Sequence, residues 1–267
     1  MLQTIKLYFT YVGMYFRSRM EYRATFFFGS FSNFYYYLIV YATLIIMVHK
    51  FGTINGWNYS ELILLYSFNL IAYAISGVFF WQTIFNLESK VTSGEFDRFM
   101  LRPVGIITQL VCQEFGYVFL GQIVVCMFFL IPALVSLHLK ITLIKVLFIL
   151  YTILGGVMFH AGAVIIIGSL SFWLMRSTQI GWVVYYDVRN FTNYPVSIYP
   201  NYIKFILTFL LPWAIVNYYP SLIILNKFSN NFEFILGTIS PLIGVGIFVF
   251  SQVVFKLGLR RYSGTGS

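Results

Sequence analysis

Charge is what this chain lacks most. Only 9% of its 267 residues are Asp, Glu, Lys or Arg, against roughly 25% in a soluble domain. Acid is scarcer than base, with 8 carboxylates against 17 Lys and Arg and a net charge of +9. A chain this poor in charge and 60% hydrophobic cannot hide its apolar surface from water, which excludes a basic soluble nucleic-acid-binding domain. Cysteine is nearly absent. Cys112 and Cys126 both sit inside one apolar run, so they read as small core residues and neither a disulfide framework nor a thiolate metal cluster is expected. There is no Gly-x-x-x-x-Gly-Lys-Ser/Thr loop, so nucleotide energy must come from another subunit. His-Glu-x-x-His, paired aspartates within spans and a Ser/His/acid grouping are all missing, and the chain is not expected to be an enzyme. No short apolar core with a small-residue cleavage site opens the sequence, so no cleavable leader is expected.

What the chain has is long apolar runs. They reach about 20 residues or more, the length a helix needs to cross a bilayer, and they lack the alternation of barrel strands. The expected fold is an all-α integral membrane protein forming one transmembrane domain over 1–267. Six spans are expected, at about 24–48, 60–86, 105–136, 142–173, 203–225 and 234–255. Residues 4–22 precede them as an amphipathic helix for the membrane interface, with Lys6, Thr10, Gly13 and Arg17 as its polar stripe. Ala72 and Ser76 make a small-xxx-small pair in the second span. Gly155, Gly156, Gly162 and Gly168 in the fourth let neighbours approach its backbone closely. Pro212 and Pro220 interrupt the fifth, which reads as kinked and re-entering the membrane from outside.

The basic residues set the expected orientation. One set of breaks carries 13 of the 17 Lys and Arg, including every arginine, and counts Arg176, Arg189 and Lys204 among them. The other carries Lys50, Lys140, Lys145 and Lys227. By the positive-inside rule both termini lie in the cytoplasm. The external loops are then short, and a partner docks from inside, on the polar breaks 87–103 and 174–202.

The first of those breaks contains Gly94-Glu95-Phe96-Asp97-Arg98-Phe99-Met100-Leu101-Arg102-Pro103-Val104. Thr92 and Glu95 have capping-box spacing and Pro103 stops the turn. Phe96, Phe99 and Met100 fall on one helical face, with Glu95, Asp97, Arg98 and Arg102 on the other. Taken alone, the stretch is equally readable as a solvated loop. Its wording, together with Asn193-Tyr194-Pro195 through Trp213-Ala214-Ile215-Val216-Asn217-Tyr218-Tyr219-Pro220, resembles ABC-2-type transporter permeases of the six-span branch with small external loops.

The resemblance covers essentially the whole chain. It implies that 4–22 is an elbow helix and 88–102 a coupling helix seated in a groove of an ATPase, with Phe96, Phe99 and Met100 as knobs and Glu95, Asp97, Arg98 and Arg102 as register charges. It implies an exporter moving a substrate outward from the cytoplasm or inner leaflet. Its partners would be two ATPase copies, which bind the ATP and magnesium, a second permease, same or homologous, and membrane lipids. The location would be the cell membrane of a prokaryote. No cofactor is expected on this chain and no nucleic acid among its partners. The reading from another class is a non-transporting scaffold, sensor or immunity protein whose island binds a cytosolic partner.

Within the spans, Glu114 faces either a translocation path or another helix, since a carboxylate in lipid is expensive. His160, near the middle of the fourth span, is either a packing histidine or a pathway contact.

Overall fold

The computed structural model describes Gly13 and residues 23–113, 115–140, 142–174 and 177–262. The elbow helix expected at 4–22 and the side chain of Glu114 lie outside the described residues. α1 is Arg23–Phe51. α2 begins as Tyr59–Ser76, widens into a π-helical turn over Gly77–Trp81 and closes with Gln82–Phe85. Two short helices follow, α3 over Leu87–Thr92 and α4 over Asp97–Met100. α5 is Ile106–Gln113, α6 is Val118–Ser136, and α7 is Leu143–Ser169, tightening into a 3-10 turn at Leu170–Phe172.

α8 is a composite rod, with helical turns over Ser177–Gly181 and Val188–Asn190, a π-helical segment Trp182–Asp187 between them and a 3-10 end at Phe191–Asn193. α9 is Asn201–Phe205 with a π turn Ile206–Leu210, α10 is Ala214–Ile224, and α11 is Asn231–Arg261. Among the described residues five helices are long and apolar enough to cross a membrane, and α9 with α10 make a sixth if that bent pair is one span.

The starts of the long helices follow from their sequence. Asn58 caps α2, its Oδ1 accepting from Glu61 N at 3.1 Å while Asn58 N donates back to the Glu61 carboxylate at 2.8 Å, so orphan amides are satisfied from both sides. The same carboxylate meets Lys227 Nζ at 2.6 Å, which ties the start of α2 to the turn after α10. Thr142 caps α7 by accepting from Lys145 N, and Asn230 caps α11 by accepting from Glu233 N.

Where α7 and α11 cross, no side chain separates them. A Cβ on Gly244 would lie 2.1 Å from the Gly155 carbonyl oxygen, and one on Gly155 would lie 2.3 Å from Pro241 Cα. Backbone-to-backbone contact of this kind replaces the hydrophobic effect as the source of helix association in lipid.

Three sequence expectations change. The third apolar run, expected as one span over 105–136, is divided between α5 and α6. The break places Gly116 N on the Val78 carbonyl at 2.9 Å, an oxygen in the π turn of α2, where the widened backbone frees carbonyls from their usual partners.

The fifth run, expected as one kinked span over 203–225, is two helices meeting at a 106° bend. The bend falls at Leu211–Trp213. Pro212 sits there, whereas Pro220 lies inside α10 without ending it. Pro220 is the seventh residue of α10, so it removes the amide that would donate to the Val216 carbonyl, and the helix runs on past that one missing bond.

The polar stretch 174–202, expected as a loop, holds α8, which packs along α2 and α7. Asn69 Nδ2 donates to Thr192 Oγ1 at 3.1 Å, and Asn217 Nδ2 donates to the Thr192 carbonyl at 2.6 Å. Arg189, counted above with the basic flanks, is buried in this bundle. Its guanidinium carbon lies 3.8 Å from the Tyr73 ring centroid.

Gly244→Ala is expected to lower thermal stability in detergent, by about 1–3 kcal/mol as for overpacking in general. Gly246→Ala, where nothing lies within 4 Å of the new carbon, is expected to be neutral or slightly stabilising. Equal melting temperatures for the two variants would contradict the backbone-contact crossing.

Candidate functional site: the charged island at one end of the bundle

The island is a helix–turn–helix built on one glycine. α3 stops at Ser93, and Gly94 takes φ +75°, a conformation that costs a Cβ-bearing residue. The chain then folds back, and Phe96 N donates to the Lys90 carbonyl at 3.0 Å. The capping box expected between Thr92 and Glu95 does not form. Thr92 Oγ1 donates instead to the Glu88 and Ser89 carbonyls at 2.9 and 3.2 Å, because a helix ends there where one was expected to begin.

Splitting the island redistributes its faces. Phe96 is wholly buried and Phe99 nearly so. The Phe96 ring lies edge-on to Phe172 at 5.2 Å and to Tyr262 at 5.0 Å. It therefore plugs the gap between the end of α7 and the end of α11 and is not a free knob for a partner. Met100, expected beside it, is 49% exposed and Leu101 84%. Glu95, Asp97, Arg98 and Arg102 are exposed as well. Asp97 also fastens inward, its Oδ1 accepting from the Tyr262 hydroxyl at 2.9 Å.

Glu88 makes the second fastening. Its Oε2 accepts from Thr178 N at 2.6 Å and from Ser177 Oγ at 3.2 Å, so one carboxylate closes the first turn of α8, where helix amides lack partners and the dipole favours negative charge. Partial burial works to raise the Glu88 pKa, but the hydrogen bonds from Thr178 and Ser177 outweigh it and hold the carboxyl below its ordinary value. A third tie runs to α5, where Lys90 Nζ donates to Gln113 Oε1 at 2.6 Å and Gln109 Nε2 to the Phe99 carbonyl at 3.0 Å. Between the island and α5 lies a cleft of about 210 Å³ walled by Glu95, Arg98, Arg102, Gln109 and Gln113.

The island is thus one block fastened to the bundle at several points. It touches the end of α7, the start of α8, α5 and the end of α11, and it presents charge and two large apolar side chains on its free face. A family model described as ABC-2 family transporter protein matches residues 34–266. The chain belongs to the ABC-2 transporter family. Searches of curated proteins and of solved structures found no match. Permeases of the ABC-2 family are typically the non-catalytic membrane component of a transporter and typically work with an ATPase partner, and the apolar helices of this one make it a multi-pass membrane protein.

His160, the other expected site residue within the spans, is fully buried. Its Nδ1 lies 2.9 Å from the Tyr185 hydroxyl, and the ring is enclosed by Tyr73, Phe159 and Trp213. It joins α7 to α8. Of the proline pair, Pro212 is at the bend and Pro220 within α10.

The sequence reading did not anticipate Glu88, Tyr262 or the burial of Arg189. Only Glu88 left a sequence signal, a carboxylate opening a short helix, and nothing in the sequence pairs it with Ser177.

A depressed carboxylate stabilises the fold above its unfolded pKa of about 4.3, and that contribution is lost as the pH falls through the lower folded value. Glu88→Gln is expected to lower the detergent melting temperature at neutral pH, by about 0.5–1 kcal/mol as for a weakened helix cap, and to shrink the acid-induced loss. An unchanged pH profile would contradict the fastening. Phe96→Ala is expected to cost about 3–5 kcal/mol, as for a buried phenylalanine, and to deplete folded protein on size-exclusion chromatography. A full yield of stable protein would contradict the plug.

Proposed function

We propose that this ABC-2 family chain is the permease subunit of an ATP-driven exporter, moving a substrate from the cytoplasm or inner leaflet outward. A separate ATPase subunit, present in two copies and holding the ATP and magnesium, seats beneath the island. A second permease, same or homologous, completes the pathway, in the cell membrane of a prokaryote. The observation that carries this reading is the island's division of labour, with Phe96, Glu88 and Asp97 bolted inward and Arg98, Met100, Leu101 and Arg102 free outward.

The orientation follows from charge. With Arg189 inside the bundle and Lys204 on α9, 11 of the 13 basic residues first assigned to the inner side remain there, against 5 opposite once Lys204 joins Lys50, Lys140, Lys145 and Lys227. The island end therefore faces the cytoplasm. In that frame α8 leaves the cytoplasmic face at Thr178 and climbs to the level of Asn69, about 15 Å of helix rise below Tyr59. The fifth crossing is then begun by α8 and completed by residues 194–200, and the α9–α10 pair is the re-entrant hairpin.

The test is co-expression of the chain with its ATPase. The wild-type complex is expected to hydrolyse ATP and to export. Arg98→Glu with Arg102→Glu, both exposed, is expected to leave the fold and expression intact while lowering ATPase association about tenfold or more, as for lost charge complementarity at an interface. Unchanged association and export in that variant would overturn the docking assignment. Binding of a cytosolic partner without any ATP turnover would favour the scaffold reading instead.

A further inference from the structure

The outward face of α8 does not suit lipid. Trp182, Val183, Asp187 and Asn190 are exposed, while Tyr185 and Arg189 turn inward. Asp187 lies nine residues beyond Thr178, about 13 Å of helix rise from the Glu88 cap, so it sits well inside the bundle's length. The other described carboxylates, Glu61, Glu88, Glu95, Asp97 and Glu233, all belong to a first turn or a loop. A carboxylate at this depth needs water, a partner or a ligand, because lipid solvates it poorly.

A second, independent observation indicates which of these it meets. Asp187 ends the π-helical segment Trp182–Asp187, a rare geometry that recurs at functional sites. This wide turn stacks Trp182 on Tyr186, with ring centroids 4.4 Å apart and planes 14° apart. The pair is braced from behind. Trp81, in the π turn of α2, meets Tyr186 at 5.2 Å, and Phe85 meets Trp182 at 5.4 Å. Arg189, the nearest cation in sequence, is buried, its guanidinium carbon 3.8 Å from the Tyr73 ring centroid and 5.8 Å from that of Tyr186, which leaves Trp182, 51% exposed, as the more open ring beside Asp187. The outward face thus offers aromatic surfaces and one carboxylate. Aromatic faces attract cations through the ring quadrupole, most strongly where water is excluded, and quaternary ammonium groups are recognised in this way. A carboxylate adds attraction for a cation and repels an anion of the same shape.

We propose that Trp182, Tyr186 and Asp187 form a recognition site for a positively charged amphiphile, of the quaternary ammonium or phosphonium kind. That this ligand is transport cargo rests on the permease reading, whereas its binding to the chain does not. The probes are tetraphenylphosphonium and tetraphenylborate, which share a shape and differ in charge. Binding of each to the purified full chain in detergent is measured by equilibrium dialysis against protein-free micelles. The expected result is saturable phosphonium binding that exceeds borate binding at least tenfold, is weakened about tenfold by Asp187→Asn and is retained by Asp187→Glu; tenfold corresponds to one interaction of ordinary ionic or cation–π strength. Trp182→Leu, at an exposed position, is expected to weaken it likewise and carries the test should the Asn variant not fold. Equal binding of the two probes, or unchanged phosphonium affinity in Asp187→Asn and Trp182→Leu, overturns the site. Phosphonium binding that depends on Asp187 in a chain that recruits no ATPase supports the site and overturns the exporter reading alone.

Discussion

A single aromatic ring and a single carboxylate hold the island end of this molecule together. Phe96 occupies the space where α7 ends and the tail of α11 returns, and Glu88 closes the first turn of α8. Both belong to the island between α2 and α5, so three otherwise separate helix ends share one short block. Filling space with a ring is cooperative, because the cavity left by its loss is felt by every wall. Capping a helix with an ionised group adds direction, since charge and helix dipole align. The consequence is mechanical. In the docking proposed above, a push on Leu101 or Arg102 would be passed to the ends of α7, α8 and α11.

Higher in the bundle the constraint is different. Apolar packing alone does little to choose one helix register in a solvent that is itself apolar. Directional groups do so here. Asn69, Thr192 and Asn217 join α2, α8 and α10 through side-chain and carbonyl bonds, and His160 pairs with Tyr185. Arg189 rests on Tyr73, so α8 is keyed to α2 and α7 by polar contacts at successive levels. The π turns of α2 and α8 face one another through Trp81, Tyr185 and Tyr186. Widened turns on both helices put large rings where ordinary turns would have crowded them.

Much of this architecture was legible in the sequence. Apolar length found α1, α2, α6, α7 and α11, since crossing a membrane requires it. The small residues of α7 identified the helix whose backbone is approached closely, as its crossing at Gly155 shows. The charged island stood out because charge is rare. What the sequence hid depends on contacts between distant residues. Phe96 reads as an outward knob if the island is one helix, and becomes a plug because Gly94 turns the chain back on itself. The stretch from Ser177 to Asn193 reads as a polar break, yet its Thr192 finds partners on α2 and α10, and so it is a helix packed along the bundle with one face exposed. Pro212 and Pro220 look alike in sequence. Only the packing places one at a bend and the other inside a helix.

The claim on which this account rests is that the island and the end of α11 move as one body. Spin labels at Leu101 and Arg260, both exposed, in a chain freed of its 2 native cysteines, report that directly through their distance distribution in the permease–ATPase complex. The account predicts a single narrow distribution that stays put when ATP binds. A broad distribution, or one that shifts with nucleotide, would show the island moving independently of the helices it is held to fasten.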